Sequence, residues 1–197
     1  MTAVGVLALQ GDVREHARAV ETAGGTWAPV RRPEDLESID ALIIPGGEST
    51  TIGKLATIYG LMEPMRRAIS GGLPTFGTCA GMIFLAAGVT AGAQAQLGVL
   101  DVIVERNAFG RQNESFETNL EIPGFEQPFR AVFIRAPWVA KVGGGVEVIA
   151  AVDEHPVMVR QGNILASSFH PELTGDVRIH TMVLQAAAGR RRMDGER

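Results

Sequence analysis

The chain holds one cysteine, Cys79, in the segment Gly77-Thr-Cys-Ala-Gly81, and four histidines, His16, His155, His170 and His180. A thiol between two glycines, where the strand-like run Leu73 to Gly77 hands over to a helix, matches the sharp elbow that projects a nucleophile from a sheet. Small neighbours let the chain turn, and the N-terminus of the following helix favours a thiolate and offers free N–H groups to an oxyanion. Both effects serve acyl transfer. A lone cysteine is otherwise a small core residue, and the glycine framing weighs toward the nucleophile. A thiol nucleophile needs a base. His170 follows the strand-like Ile164 to Phe169 and precedes Pro171 and Glu172, so base and orienting carboxylate stand together. His155-Pro156 reads as an ordinary turn. His16, in a polar helix start, and His180, in the last helix, read as solvated or core residues.

Such side chains need a scaffold. Branched apolar runs at Val4 to Leu9, Ala41 to Ile44 and Leu73 to Gly77 alternate with helical patterns at Arg14 to Ala23 and Ile58 to Ile69. This predicts an α/β fold built from βαβ units around a parallel sheet. Strand candidates then follow with almost no helix between them: Val99 to Arg106, Phe116 to Ile122, Phe129 to Arg135, Val146 to Val152, Val157 to Gln161 and Ile164 to Phe169. They predict antiparallel additions in the second half. A last helix is expected from Gly175 to Ala188. One domain over 1–189 and a polar, frayed tail over 190–197 are expected. In an open parallel sheet the crevice lies beyond the carboxyl ends of the strands. Gln10-Gly11, Pro45-Gly46-Gly47 and Cys79 should therefore converge.

Bulk properties narrow the function classes. A hydrophobic content of 46%, with 20% charged residues, is globular, and a net charge of -4 gives no nucleic-acid footprint. No apolar stretch approaches the roughly 20 residues that span a bilayer, so no membrane role is expected. A single cysteine makes no internal disulfide, and the start reads as a strand, not a signal peptide; a reducing cytoplasm is the expected compartment.

Cys79 in Gly-Thr-Cys-Ala-Gly, followed far downstream by His170-Pro-Glu172, resembles the triad of class I glutamine amidotransferases. Leu9-Gln-Gly11 with Arg14-Glu-His16, Pro45-Gly-Gly-Glu-Ser-Thr50, Arg106-Asn-Ala-Phe-Gly-Arg-Gln112 and Phe133-Ile-Arg-Ala-Pro137 look like those of the glutaminase subunits of pyridoxal 5'-phosphate synthases. The likeness covers nearly the whole chain. Asn113-Glu114 departs from it, where an aspartate is more usual before the Ser-Phe pair, and the tail after Gly189 matches nothing in it.

The resemblance implies a single-domain, flavodoxin-like class I glutamine amidotransferase fold with a mixed, mostly parallel sheet. It implies hydrolysis of L-glutamine by Cys79, His170 and Glu172, with N–H groups of Gly47 and Ala80 as the oxyanion hole. Gly47, Glu48, Ser49, Arg106, Ile134 and Arg135 are implied to bind glutamine; without the resemblance, the two arginines read as solvated strand ends. No metal or organic cofactor is required by this chemistry. The implied partner is a barrel-fold synthase subunit in a large ring complex, which receives the ammonia, and Gln10 is a candidate contact in activation on docking. Alternatives are the glutaminase of another pathway, such as the histidine-biosynthetic one, a non-catalytic docking module, or a cysteine-dependent stress protein of related topology.

Overall fold

The computed structural model describes residues 2–109 and 115–195. Among them, a sheet of seven strands runs in the order β10-β11-β12-β4-β3-β1-β2. Its parallel part comprises β2 (Thr26–Val30), β1 (Ala3–Leu7), β3 (Ala41–Ile44), β4 (Thr75–Thr78) and β12 (Ile164–Ser167). Then β11 (His155–Gln161) and β10 (Glu147–Val152) add on antiparallel. The expected mostly parallel α/β sheet with antiparallel additions is what forms.

Strand β3 explains the layering. Its side chains alternate between faces, and all four are fully buried. Leu42 and Ile44 join the core under α2 (Ser49–Ile58), α3 (Met62–Ser70) and α4 (Ala80–Leu85). Ala41 and Ile43 join the opposite core, shared with α1 (Val13–Thr22), α5 (Arg178–Gly195) and the hairpin of β7 (Ser115–Leu120) and β8 (Phe129–Ile134). A strand covered on both sides reads as an unbroken apolar run. A small sheet of β5 (Ala86–Val89), β6 (Leu100–Glu105) and β9 (Trp138–Val142) completes the second half.

Several element expectations need correction. Of the helix expected over Ile58 to Ile69, only the part from Met62 onward forms, as α3; Ile58 closes the unexpected helix α2, which Gly60 ends at a left-handed φ of 68°. Strand β2 escaped the reading because Pro29 breaks its pattern; it lies at the sheet edge, where a missing N–H is tolerated. His155-Pro156 is not a turn. The reversal falls on Asp153 and Glu154, both at positive φ, and His155 opens β11 with its ring stacked on Trp138 at 3.6 Å. Helix α5 starts at Arg178 instead of Gly175 and continues to Gly195. The alanine- and arginine-rich stretch favours helix strongly enough to carry it past Gly189, so residues 190–195 are helical in backbone. Gly110 to Gln112 and Asn113-Glu114 lie outside the described residues.

Candidate active site

Cys79 links β4 to α4 with φ 49° and ψ -102°, a region that residues with a side chain rarely adopt. Its N–H donates to the Ser167 carbonyl at 2.7 Å, pinning the elbow to β12. The flanking glycines do a different job from the one expected of them. A Cβ on Gly81 would run into the Ile44 carbonyl oxygen, and one on Gly77 would meet Leu85 and the Gly81 backbone. They allow close packing of strand on helix, while the turn strain rests on the cysteine itself.

His170 follows β12, and Pro171 starts a 3-10 turn over Pro171–Leu173. In an extended strand, residues two apart stand side by side without touching. The turn instead folds Glu172 back, so that its Oε1 lies 2.7 Å from His170 Nδ1. With Nδ1 committed to the carboxylate, Nε2 is the nitrogen left for the thiol. Asp12 Oδ2 also approaches Nδ1, at 3.4 Å. Burial alone would depress the His170 pKa, but bonding to Asp12, Cys79 and Glu172 outweighs it and pushes the value up to about 12. Burial would raise the Glu172 carboxyl, and the neighbouring His16 and His170 hold it below its ordinary value instead. Donor atoms of Asp12, His170 and Glu172 lie within 4.8 Å of one another, the spacing of a possible metal set. The direct 2.7 Å bond between two of them makes the trio a hydrogen-bond network first.

The loop after β3 faces this group. Gly47 has φ 149°, and a Cβ there would strike Gln10 Oε1, so the close approach of the two loops requires glycine. Gln10 Oε1 accepts from the Glu48 N–H at 2.8 Å. The Glu48 carboxylate accepts from the N–H and hydroxyl groups of Thr50 and Thr51, capping α2. Arg106 reaches the same carboxylate at 3.5 Å, and the Ser49 hydroxyl donates to Gln94 at 3.1 Å. A cleft of about 420 Å³ opens here, lined by Gln10, Gly47, Glu48, Ser49, Cys79, Ala80, Arg106, Ile134, Arg135 and His170. Every expected site residue except Glu172 lines it, and Glu172 sits buried behind His170.

The model of the SNO glutamine amidotransferase family matches residues 6–188. The chain belongs to that family. A pyridoxal 5'-phosphate synthase subunit PdxT of Parafrankia sp. (strain EAN1pec) is 59% identical over 185 residues, covering 92% of this chain and 91% of the relative. The protein of the same name from Pelotomaculum thermopropionicum is 59% identical over 183 residues, with coverage of 92% and 93%. A solved structure described as a glutamine amidotransferase superposes with a TM-score of 0.90 at 55% identity, covering 94% of this chain and 98% of that one. The structure of PurLQS from Thermotoga maritima shares the fold, with a TM-score of 0.70 at 17% identity over 95% of this chain and 97% of that one.

In this member of the SNO family the sequence reading missed Asp12, Ile83, Asn107 and Leu173 in the cleft. Asp12 had a signal, since it follows the Gln10-Gly11 strand end. The other three carry none that residue type alone would reveal. His16 and His180 are fully buried and bonded to each other at 3.0 Å. Of the two open readings for them, the solvated one falls.

Proposed function

We propose that the chain is a glutaminase that hydrolyses L-glutamine to L-glutamate and ammonia, and that it serves as the glutaminase subunit of a pyridoxal 5'-phosphate synthase. The observation that carries this reading is the line Cys79, His170, Glu172 at the cleft, with the thiol on a strained elbow at a helix N-terminus. The names of the relatives supply the pathway.

His170, an imidazolium in the resting site, already holds the thiol's proton on Nε2 when Cys79 Sγ attacks the carboxamide carbon. The resulting oxyanion is met by N–H groups of Gly47 and Ala80. The imidazolium, held by Glu172 and Asp12, returns its proton to the leaving ammonia. Water deprotonated by the same ring then hydrolyses the glutamyl thioester, releasing glutamate and the free thiol. Arg106, Ser49 and the Ile134-Arg135 backbone stand where they could bind the α-carboxylate and α-ammonium of the substrate. The free thiol nucleophile suits a reducing cytoplasm.

Ammonia is mostly protonated and freely diffusible near neutral pH, so a useful glutaminase hands it to a partner. The barrel-fold synthase subunit, in a ring assembly, is that partner in this reading. The Gln10 bond to the Glu48 N–H holds the oxyanion loop and makes Gln10 the candidate relay for activation on docking. The test is glutamine hydrolysis by the complex with synthase. Cys79→Ala should lose it by on the order of 10⁴ or more, and near-normal turnover would sink the assignment. Equal rates with and without synthase would refute the docking switch.

A further inference from the structure

Behind the triad lies a buried chain of titratable groups that the mechanism above does not use. His16 on α1 and His180 on α5 are both fully buried. His16 Nδ1 stands 3.0 Å from His180 Nε2, while His16 Nε2 stands 3.0 Å from Thr78 Oγ1 and 3.5 Å from Glu172 Oε2. Among the described residues, the buried atoms Glu172 Oε2 and His180 Nδ1 find no hydrogen-bond partner.

Those two orphan atoms decide where the protons sit. If His16 Nδ1 carried the proton and donated it to His180, then a neutral His180 would carry its own on Nδ1, as a buried N–H with no acceptor. The bare His16 Nε2 would also face a carboxylate oxygen. Both arrangements are unfavourable. With the protons on the two Nε2 atoms, His180 donates to His16 Nδ1, and His16 donates into the space between Thr78 and Glu172 Oε2. His180 Nδ1 is then only an unused lone pair, the cheaper of the two orphans. Burial keeps both rings neutral, lowering the pKa of each against the pull of Glu172.

Building on the glutaminase reading, we propose that His16, backed by His180, is a positioning residue for the triad carboxylate. Its Nε2–H faces the far oxygen of Glu172 and keeps the near oxygen aimed at His170. Among the described residues, the titratable groups around His16 are Glu172, His170, Asp12 and Glu15, together with its bonded partner His180. Thr78, the residue before Cys79, shares the same proton and ties the arrangement to the nucleophile's strand.

The experiment uses the wild-type chain and two variants, each assayed with synthase. His16→Leu removes the donor, whereas the amide nitrogen of His16→Gln can occupy the position of Nε2. For Leu, kcat should fall about tenfold to a hundredfold, as for other groups that orient a reacting side chain. KM for glutamine should stay within about twofold, and the alkaline limb of the pH profile should move down as the grip on the His170 imidazolium weakens. Gln should restore most of the loss. An unchanged kcat in Leu, or a Gln variant as poor as Leu, overturns the proposal. A ring ¹⁵N spectrum of the wild type, which needs no activity, should find His16 and His180 both protonated at Nε2; a proton on His180 Nδ1 would equally overturn it. A wild-type complex inert toward glutamine would instead defeat the glutaminase reading, leaving the spectrum to decide the tautomers.

Discussion

His170 is held by two carboxylates on one nitrogen, Glu172 at 2.7 Å and Asp12 at 3.4 Å. Asp12 is half-exposed, so its hold is partly screened. Asp12→Asn should lower the His170 pKa and pull the alkaline limb of kcat/KM down by on the order of one pH unit, leaving the acid limb of the enzyme largely in place. A superposable profile in the variant would mean that Glu172 alone sets the base. Gly81 makes a second prediction. A methyl there collides with the Ile44 carbonyl, which is backbone and cannot swing aside. Gly81→Ala should therefore destabilise the fold by about 1–3 kcal/mol in urea titration, and it should cost activity by shifting the elbow.

At the level of elements, helix α2 begins on a carboxylate that fills four hydrogen bonds at once. Those bonds outweigh desolvation and lower the Glu48 pKa to about 2. Its depressed value means that the contribution is present above the ordinary carboxylate pKa and is lost as pH falls through about 2; exposure to water keeps it modest. Glu48→Ala should cost about 1 kcal/mol through the missing cap, read as a melting temperature lower by roughly 2–4 °C. Because the cap also fixes the Gly47 loop, the variant should raise KM for glutamine. A variant with unchanged KM would separate the cap from the binding site. Local signals missed this helix: its first residues look like a Gly-Gly-Glu-Ser-Thr loop, and the break at Gly60 lies inside an otherwise continuous helical pattern.

Across the whole molecule, buried histidines set the response of stability to pH. His16 and His180 have folded pKa values below their unfolded ones, the latter at about 3. Below roughly pH 6.5 the unfolded chain takes up protons that these rings refuse, so stability falls as pH falls. Each ring adds a slope approaching about 1.4 kcal/mol per pH unit. His170 works in the other direction. Its raised pKa contributes stability that is complete below about 6.5 and is lost as pH rises toward about 12. Urea midpoints measured from pH 5 to 9 should peak near 6.5 to 7, and His180→Gln should flatten the acid side. A midpoint that keeps rising down to pH 5 would contradict the buried neutral pair.

The proposed site was legible in residue types and short spacings because the proposed nucleophile and base follow strand ends, with the proposed orienter in the turn just after, and strand ends in a parallel sheet meet at one crevice. The glycines about Cys79, the His-Pro-Glu turn and the all-apolar Ala41–Ile44 strand are local signals of that kind. No local signal could disclose contacts made across the fold. Asp12 reaches His170 from 158 positions away, and His16 meets His180 across 164, through helices α1 and α5 packed on one face of the sheet. His16 on its own helix is merely a histidine among polar neighbours. Its burial, its partner and the direction of its proton follow from what the sheet brings against it.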